Sequence, residues 1–166
     1  MIKLKIIYEQ LLKEVGDLEN IKSYPYSNNS FITDLDLKVN VKFQEYNNED
    51  IEALGLNIKY YQAPIFNVIF DVEGDESQFT KTTLDEYLKI IKTVTEICID
   101  FVKEKNPNGL TFFAASKNKN NLFKTDPQKS KFYKVIVTKQ LSKIQGWGLI
   151  NLPLDDEFEG FMMYKK

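Results

Sequence analysis

The 166-residue chain contains no histidine and no arginine, and all 22 of its basic residues are lysine. Without histidine, Ser-His-Asp triads, Cys-His dyads and His-ligated metal centres are excluded within one chain. Without arginine, no guanidinium fork is available to clamp a phosphate or carboxylate through two parallel bonds. The single cysteine, Cys98, rules out an intramolecular disulfide. It falls in an apolar helical pattern, where a thiol behaves as a small buried hydrophobe. No apolar run approaches the ~18 residues that a membrane-spanning helix needs. The opening MIKLKIIYEQLLKE carries Glu9 and Glu14 and has no small-residue cleavage site, so it does not read as a secretory signal. Catalysis, if there is any, is left to carboxylates, lysine, tyrosine or a metal held by Asp and Glu.

Aromatic side chains are abundant: twelve Phe, nine Tyr and one Trp. A chain of this length with that supply can bury a sizeable core as one domain. Charge is close to balanced overall at −2, but it is unevenly placed. Residues 1–102 hold ten lysines against eighteen acids, whereas residues 103–143 hold ten lysines against two. A block of that sign faces solvent, an acidic surface or nucleic acid. Its exposed candidates are Lys117, Lys119, Lys124, Lys129, Lys131 and Lys134.

Periodicity gives the elements. Ile6, Ile7, Leu11, Leu12, Val15 and Leu18 predict a helix over 5–19, followed by a Ser/Asn-rich connector to residue 30. Leu35, Leu37, Val39, Val41 and Phe43 alternate with polar residues and predict a strand over 34–43. Residues 47–50 read as a turn, and 56–62 and 65–72 as two further strands, the second central because both its faces are apolar. Thr83 and Glu86 form a capping-box pattern that opens a helix reaching Lys105, where Asn106-Pro107-Asn108-Gly109 stops it. Leu110–Ala115 is a short buried strand, 117–127 a Lys/Asn loop, and Pro127 opens a second helix to Ile144. Gly146-Trp147-Gly148 turns into Leu149–Leu152, and Phe158–Tyr164 is the last strand. The expected fold class is α+β: a single mixed, mostly antiparallel sheet with helices packed on it. One domain covers 1–166, with 1–30 as N-terminal helix and connector and 31–166 as sheet and core helices.

From residue 56 onward the order of elements resembles the GNAT acetyltransferases. The correspondence is best from Phe112–Ala115 through the Asn-rich loop to Asn121, Tyr133 on the following helix, and Gly146-Trp147. That resemblance implies acetyl-CoA as cofactor, Asn121 near the acyl thioester and Tyr133 as general acid for the departing thiolate. The chain departs from the family where its pyrophosphate loop belongs. Asp71-Val72-Glu73-Gly74-Asp75-Glu76 has one glycine and four carboxylates, and Asp85 and Glu86 follow in the first helical turn. Carboxylates there stabilise a helix and repel a phosphate.

A second resemblance rests on short patterns. Leu12-Lys13-Glu14-Val15-Gly16-Asp17 with Tyr24-Pro25-Tyr26 is similar to uncharacterised proteins of tailed bacteriophages. So are Thr93-Val94-Thr95-Glu96-Ile97, Asn106-Pro107, Phe112-Phe113-Ala114-Ala115 and Ser130-Lys131-Phe132-Tyr133. The leading expectation is a non-enzymatic phage protein that acts through protein–protein interaction, in the virion or in the host cytoplasm. It has no cofactor, no membrane association, and a phage or host protein as partner. The alternatives are an N-acyltransferase using acetyl-CoA and a nucleic-acid-binding accessory protein using the Lys-rich loop. Asp34 and Asp36, taken as one strand face, are a weak candidate for a hard cation, and Lys38 beside them favours solvation instead.

Overall fold

The alternation of Val39, Val41 and Phe43 on one strand, and of Phe66, Val68 and Phe70 on another, builds one face of a seven-stranded sheet. The computed structural model of the chain describes residues 21–72, 84–115, 137, 139–152 and 158–166. Its strands are β1 (Tyr26–Ser27), β2 (Ser30–Ile32), β3 (Lys38–Tyr46), β4 (Ile65–Val72), β5 (Gly109–Ala115), β6 (Trp147–Asn151) and β7 (Phe158–Lys165). Two helices accompany them, α1 (Asn48–Ala53) and α2 (Leu84–Lys105), and residues 137 and 139–141 are helical as well. The order across the sheet is β1-β2-β3-β4-β5-β7-β6, with β4 and β5 parallel and every other neighbour antiparallel. Helix α2 supplies the long crossover that a parallel pair requires. The fold is α+β, with a single mixed and mostly antiparallel sheet.

Helix α2 packs its Tyr87, Leu88, Ile91, Val94, Cys98 and Val102 stripe on the face formed by Val39, Val41, Val68, Phe70, Leu110, Phe112, Phe161 and Met163. Val137 and Leu141 join the same cluster. Residues 21–26 cross the outer side of α2. The Tyr24 amide donates to Thr93 Oγ1 at 2.9 Å, Lys92 Nζ donates to the Ile21 carbonyl, and the Tyr26 hydroxyl donates to Asp100. That extra layer explains why α2 is buried on more than one side. Thr93 and Thr95 are fully buried and satisfy their hydroxyls on backbone carbonyls one turn back, those of Lys89 and Lys92. The opposite sheet face holds a smaller cluster of Ile51, Leu56, Ile65, Leu152 and Met162, beneath α1 and the loop after it.

Several expectations hold. Residues 65–72 form a strand with neighbours on both sides, the long helix ends at Lys105, and residues 109–115 and 158–165 are strands. Others need correction. The strand expected over 34–43 runs over 38–46 instead: Asp34 and Leu35 form a turn, Asp36 sits at φ 59°, and Leu35 is 56% exposed. Asp34 and Asp36 therefore do not share a strand face. Residues 47–50 are not a loop: Asn47 caps α1, accepting from the Asp50 amide at 2.8 Å while Asp50 accepts from the Asn47 amide at 2.9 Å. Residues 56–62 are turns and loop. The expected connector contains β1 and β2, joined by Asn28 and Asn29 at φ 52° and 60°, a two-residue hairpin turn that needs left-handed backbone. Strand β6 begins at Trp147, two residues earlier than expected. The expected helix over 5–19, Thr83 of the capping box, the Lys/Asn loop and most of the helix over 127–144 lie outside the described residues. Among the described residues no helix is long and apolar enough to cross a membrane.

Candidate functional site

Strand β4 pairs with β3 along its whole length, from Tyr46↔Ile65 to Val39↔Val72. Strand β5 pairs with β7 along its whole length, from Gly109↔Tyr164 to Ala115↔Phe158. Between β4 and β5 the ladder has only three pairs, Ile65↔Gly109, Phe66↔Leu110 and Asn67↔Thr111. Beyond Asn67 and Thr111 the two strands run on, to Val72 and Ala115, without pairing to each other. The sheet is thus two continuous halves joined by a short parallel seam, and it forks toward the carboxyl ends of β4 and β5. In open sheets with parallel strands, ligands enter at carboxyl ends where neighbouring strands part.

Polar side chains gather on one face at this fork. At its apex, Thr111 Oγ1 donates to Asn67 Oδ1 at 3.0 Å, and Thr111 has no exposed surface. Burial, then the nearby Asp50 charge, raises the Tyr46 pKa, and Thr111 partly offsets that. Beyond Ile69 on the same face of β4, Asp71 keeps 7% of its side chain exposed and lies 3.3 Å from Lys42 Nζ. Asn40, its partner across the strands, donates to Asp71 Oδ1 at 3.5 Å and accepts from Ser30 Oγ at 2.7 Å. Lys42 is 65% exposed, so Asp71 is a buried acceptor whose counter-charge reaches solvent. Sequence reading passed over Asn67, Thr111, Tyr46 and Lys42. A polar residue inside each of two apolar runs was the available signal, because a buried polar group demands a partner.

In the sequence, Glu73, Asp75 and Glu76 follow β4, and Lys117 and Lys119 follow β5; all five lie outside the described residues. The acyltransferase candidates Asn121 and Tyr133 lie outside the described residues, as do Lys117, Lys119, Lys124, Lys129, Lys131 and Lys134. The start of α2 is described. Asp85 and Glu86 occupy its first turn, and Glu86 Oε2 accepts from the Leu35 amide at 3.1 Å. That carboxylate pins the 33–37 turn to the helix.

The aspartates considered for a cation are otherwise engaged or apart. Asp34 Oδ2 accepts from Tyr24 Oη at 3.1 Å and from Lys89 Nζ at 3.1 Å, and Lys89 also stands 5.9 Å from the centre of the Tyr24 ring. Those bonds, the lysine's first, hold the Asp34 carboxyl below its ordinary range. Burial, then Asp34 itself, pushes Tyr24 up to about 12, and burial with the Asp100 bond does the same for Tyr26. This cluster fastens residues 21–37 to α2. Among the described residues no three His, Cys, Asp or Glu side chains gather into a metal-binding group. Cys98 is wholly buried, and burial raises its thiol pKa.

Comparison with known proteins is silent. No family model, curated protein or solved structure matches the chain.

Proposed function

We propose that the protein works by binding a protein partner, and that the fork between β4 and β5 takes an extended segment of that partner. The observation that carries this is the ladder that ends at Asn67↔Thr111 while both strands continue. An extended chain added to a sheet gains main-chain bonds for affinity and alternate side-chain positions for selectivity. On the polar face such a segment meets Ile69 and Asp71 of β4 and Phe113 of β5. The resemblance to tailed-phage proteins makes a virion or host protein the natural partner class. A photo-crosslinking residue at Ile69 tests the reading, with one at Glu104, exposed in the last turn of α2 at the opposite end of the seam, as control. A partner from virions or infected cells crosslinked at position 69 and not at 104 supports it; equal labelling at both refutes it.

A second reading is favoured by the order of elements. Antiparallel strands, helix, strand, helix and two strands resemble the GNAT acetyltransferases, and the pantetheine arm of acetyl-CoA is itself an extended, amide-bearing chain that suits a fork. Its pyrophosphate does not suit the start of α2, where Asp85 and Glu86 would oppose it and Glu86 is already bonded to Leu35. Acetyl-CoA at millimolar concentration decides between the readings: a dose-dependent thermal shift supports the acyltransferase and its absence removes it.

A further inference from the structure

At the other end of the same parallel pair the chain builds a cleft of about 230 Å³. Its walls are Lys59, Tyr60, Tyr61 and Gln62 from the loop before β4, Asn108 before β5, and Tyr164 and Lys165 from the end of β7. We propose that this cleft binds a ring-bearing phosphate of the size of one nucleotide, stacking its base on Tyr60 and pairing its phosphate with Lys59 and Lys165.

The cleft is held in shape by Asn108. Its side-chain amide donates to the carbonyls of Gln62 at 3.1 Å and Ala63 at 3.0 Å, and its own amide donates to Pro64 O at 2.7 Å. Its carbonyl accepts from the Lys165 amide at 2.8 Å, so one residue ties the 57–64 loop to β5 and β7. Lys165 Nζ donates to Asn106 Oδ1 at 2.6 Å, which orients that ammonium, and Tyr61 packs edge-on against Tyr164 with ring centres 5.2 Å apart. Fixing the walls in advance lowers the ordering cost of binding.

The chemistry of the walls selects the ligand. Among the described residues they include two lysines and no carboxylate, so an anion is favoured. Tyr60 is 77% exposed, the most exposed large apolar side chain among the described residues, on a loop otherwise braced by backbone bonds. An exposed ring beside ammonium groups is the arrangement by which stacking and phosphate pairing recognise nucleotides.

Titrating the full chain with adenosine 5′-monophosphate, with a thymidine oligonucleotide and with inorganic phosphate tests the proposal, read by NMR shifts at residues 57–62 and 164–166. Saturable shifts with either nucleotide probe are expected, weakened roughly tenfold by Tyr60→Ala and by adding salt. Tighter binding of the oligonucleotide identifies single-stranded nucleic acid as the source, and equal or tighter binding of the mononucleotide identifies the free nucleotide. An unchanged melting temperature for Tyr60→Ala shows that the variant is folded. No shifts with either nucleotide, or a response to inorganic phosphate equal to that of the mononucleotide and indifferent to Tyr60→Ala, overturns the proposal.

Discussion

Replacing Thr111 by valine tests whether the apex of the fork is sealed by a side-chain bond. Valine matches threonine in shape, so little packing changes, and what is lost is a hydroxyl. That hydroxyl donates to Asn67 Oδ1 at 3.0 Å, in a position with no exposed surface. A hydrogen bond contributes about 1 kcal/mol net, and a buried partner left unsatisfied raises the cost to about 1–3 kcal/mol. About 2 kcal/mol is expected, equivalent to a melting point lower by roughly 4–8 °C in a chain of this size. Asn67→Leu alone strands the Thr111 hydroxyl and costs a similar amount. The double variant presents two apolar groups to each other and should cost clearly less than the sum, giving a coupling of about 1 kcal/mol or more. Urea denaturation of the four proteins at unchanged slope measures it. Additive losses, or a Thr111→Val loss below about 0.5 kcal/mol, would refute the claim that this pair closes the fork.

The remaining predictions concern other joints of the fold. Asp34 has a lowered pKa when folded, so its contribution is present above the ordinary carboxylate range and is lost as pH falls through its lowered value. Asp34→Asn should therefore be destabilised at neutral pH and converge on the parent in acid, as urea midpoints between pH 7 and pH 3 would show. Tyr26 is raised to about 12, so its contribution is full below the ordinary tyrosine value and fades as pH rises toward 12. The gap in urea midpoint between the parent and Tyr26→Phe should close over that alkaline interval. Gly146 sits at φ +84°, and a methyl group added to its α-carbon would meet nothing within 4 Å, so Gly146→Ala should cost about 1 kcal/mol from backbone strain alone, read as a lower urea midpoint. Cys98 should resist a thiol reagent in the native protein and react at the rate of unfolding, whereas fast labelling would contradict its burial.

Strong periodicity was legible, and so were the elements it specified. Residues 65–72, the helix to Lys105, and the strands at 109–115 and 158–165 each carry an apolar pattern that one local geometry satisfies. The misreadings arose where a local pattern was overruled by a turn or a distant contact. Leu35 and Leu37 continue the alternation of β3, yet Asp36 adopts left-handed backbone and takes Leu35 out of the sheet. Residues 56–62 look strand-like, but Asn108 clamps the loop from the turn before β5, far along the chain. The run at 47–50 looks like a turn because its Asn and Asp are cap residues, and here they cap a helix. The fork was legible only as two polar residues in apolar runs. That they face each other, and that the ladder stops with them, depends on the register between β4 and β5, which no short segment encodes.

That register also separates the two candidate sites. The seam is tied at one end by Asn108, which joins the loop before β4 to β5 and β7, and it ends at the other with Thr111 and Asn67. Only three ladder pairs join β4 to β5, so the side-chain bonds at the ends of the seam add to the hold of the core that both strands share. Loosening the apex should free the carboxyl halves of β4 and β5 while Asn108 keeps the cleft intact. The fork and the cleft are therefore expected to respond independently: Thr111→Val alters crosslinking at Ile69 and leaves nucleotide shifts at residues 57–62 unchanged. If both change together, the seam transmits between its ends and the two sites form one unit.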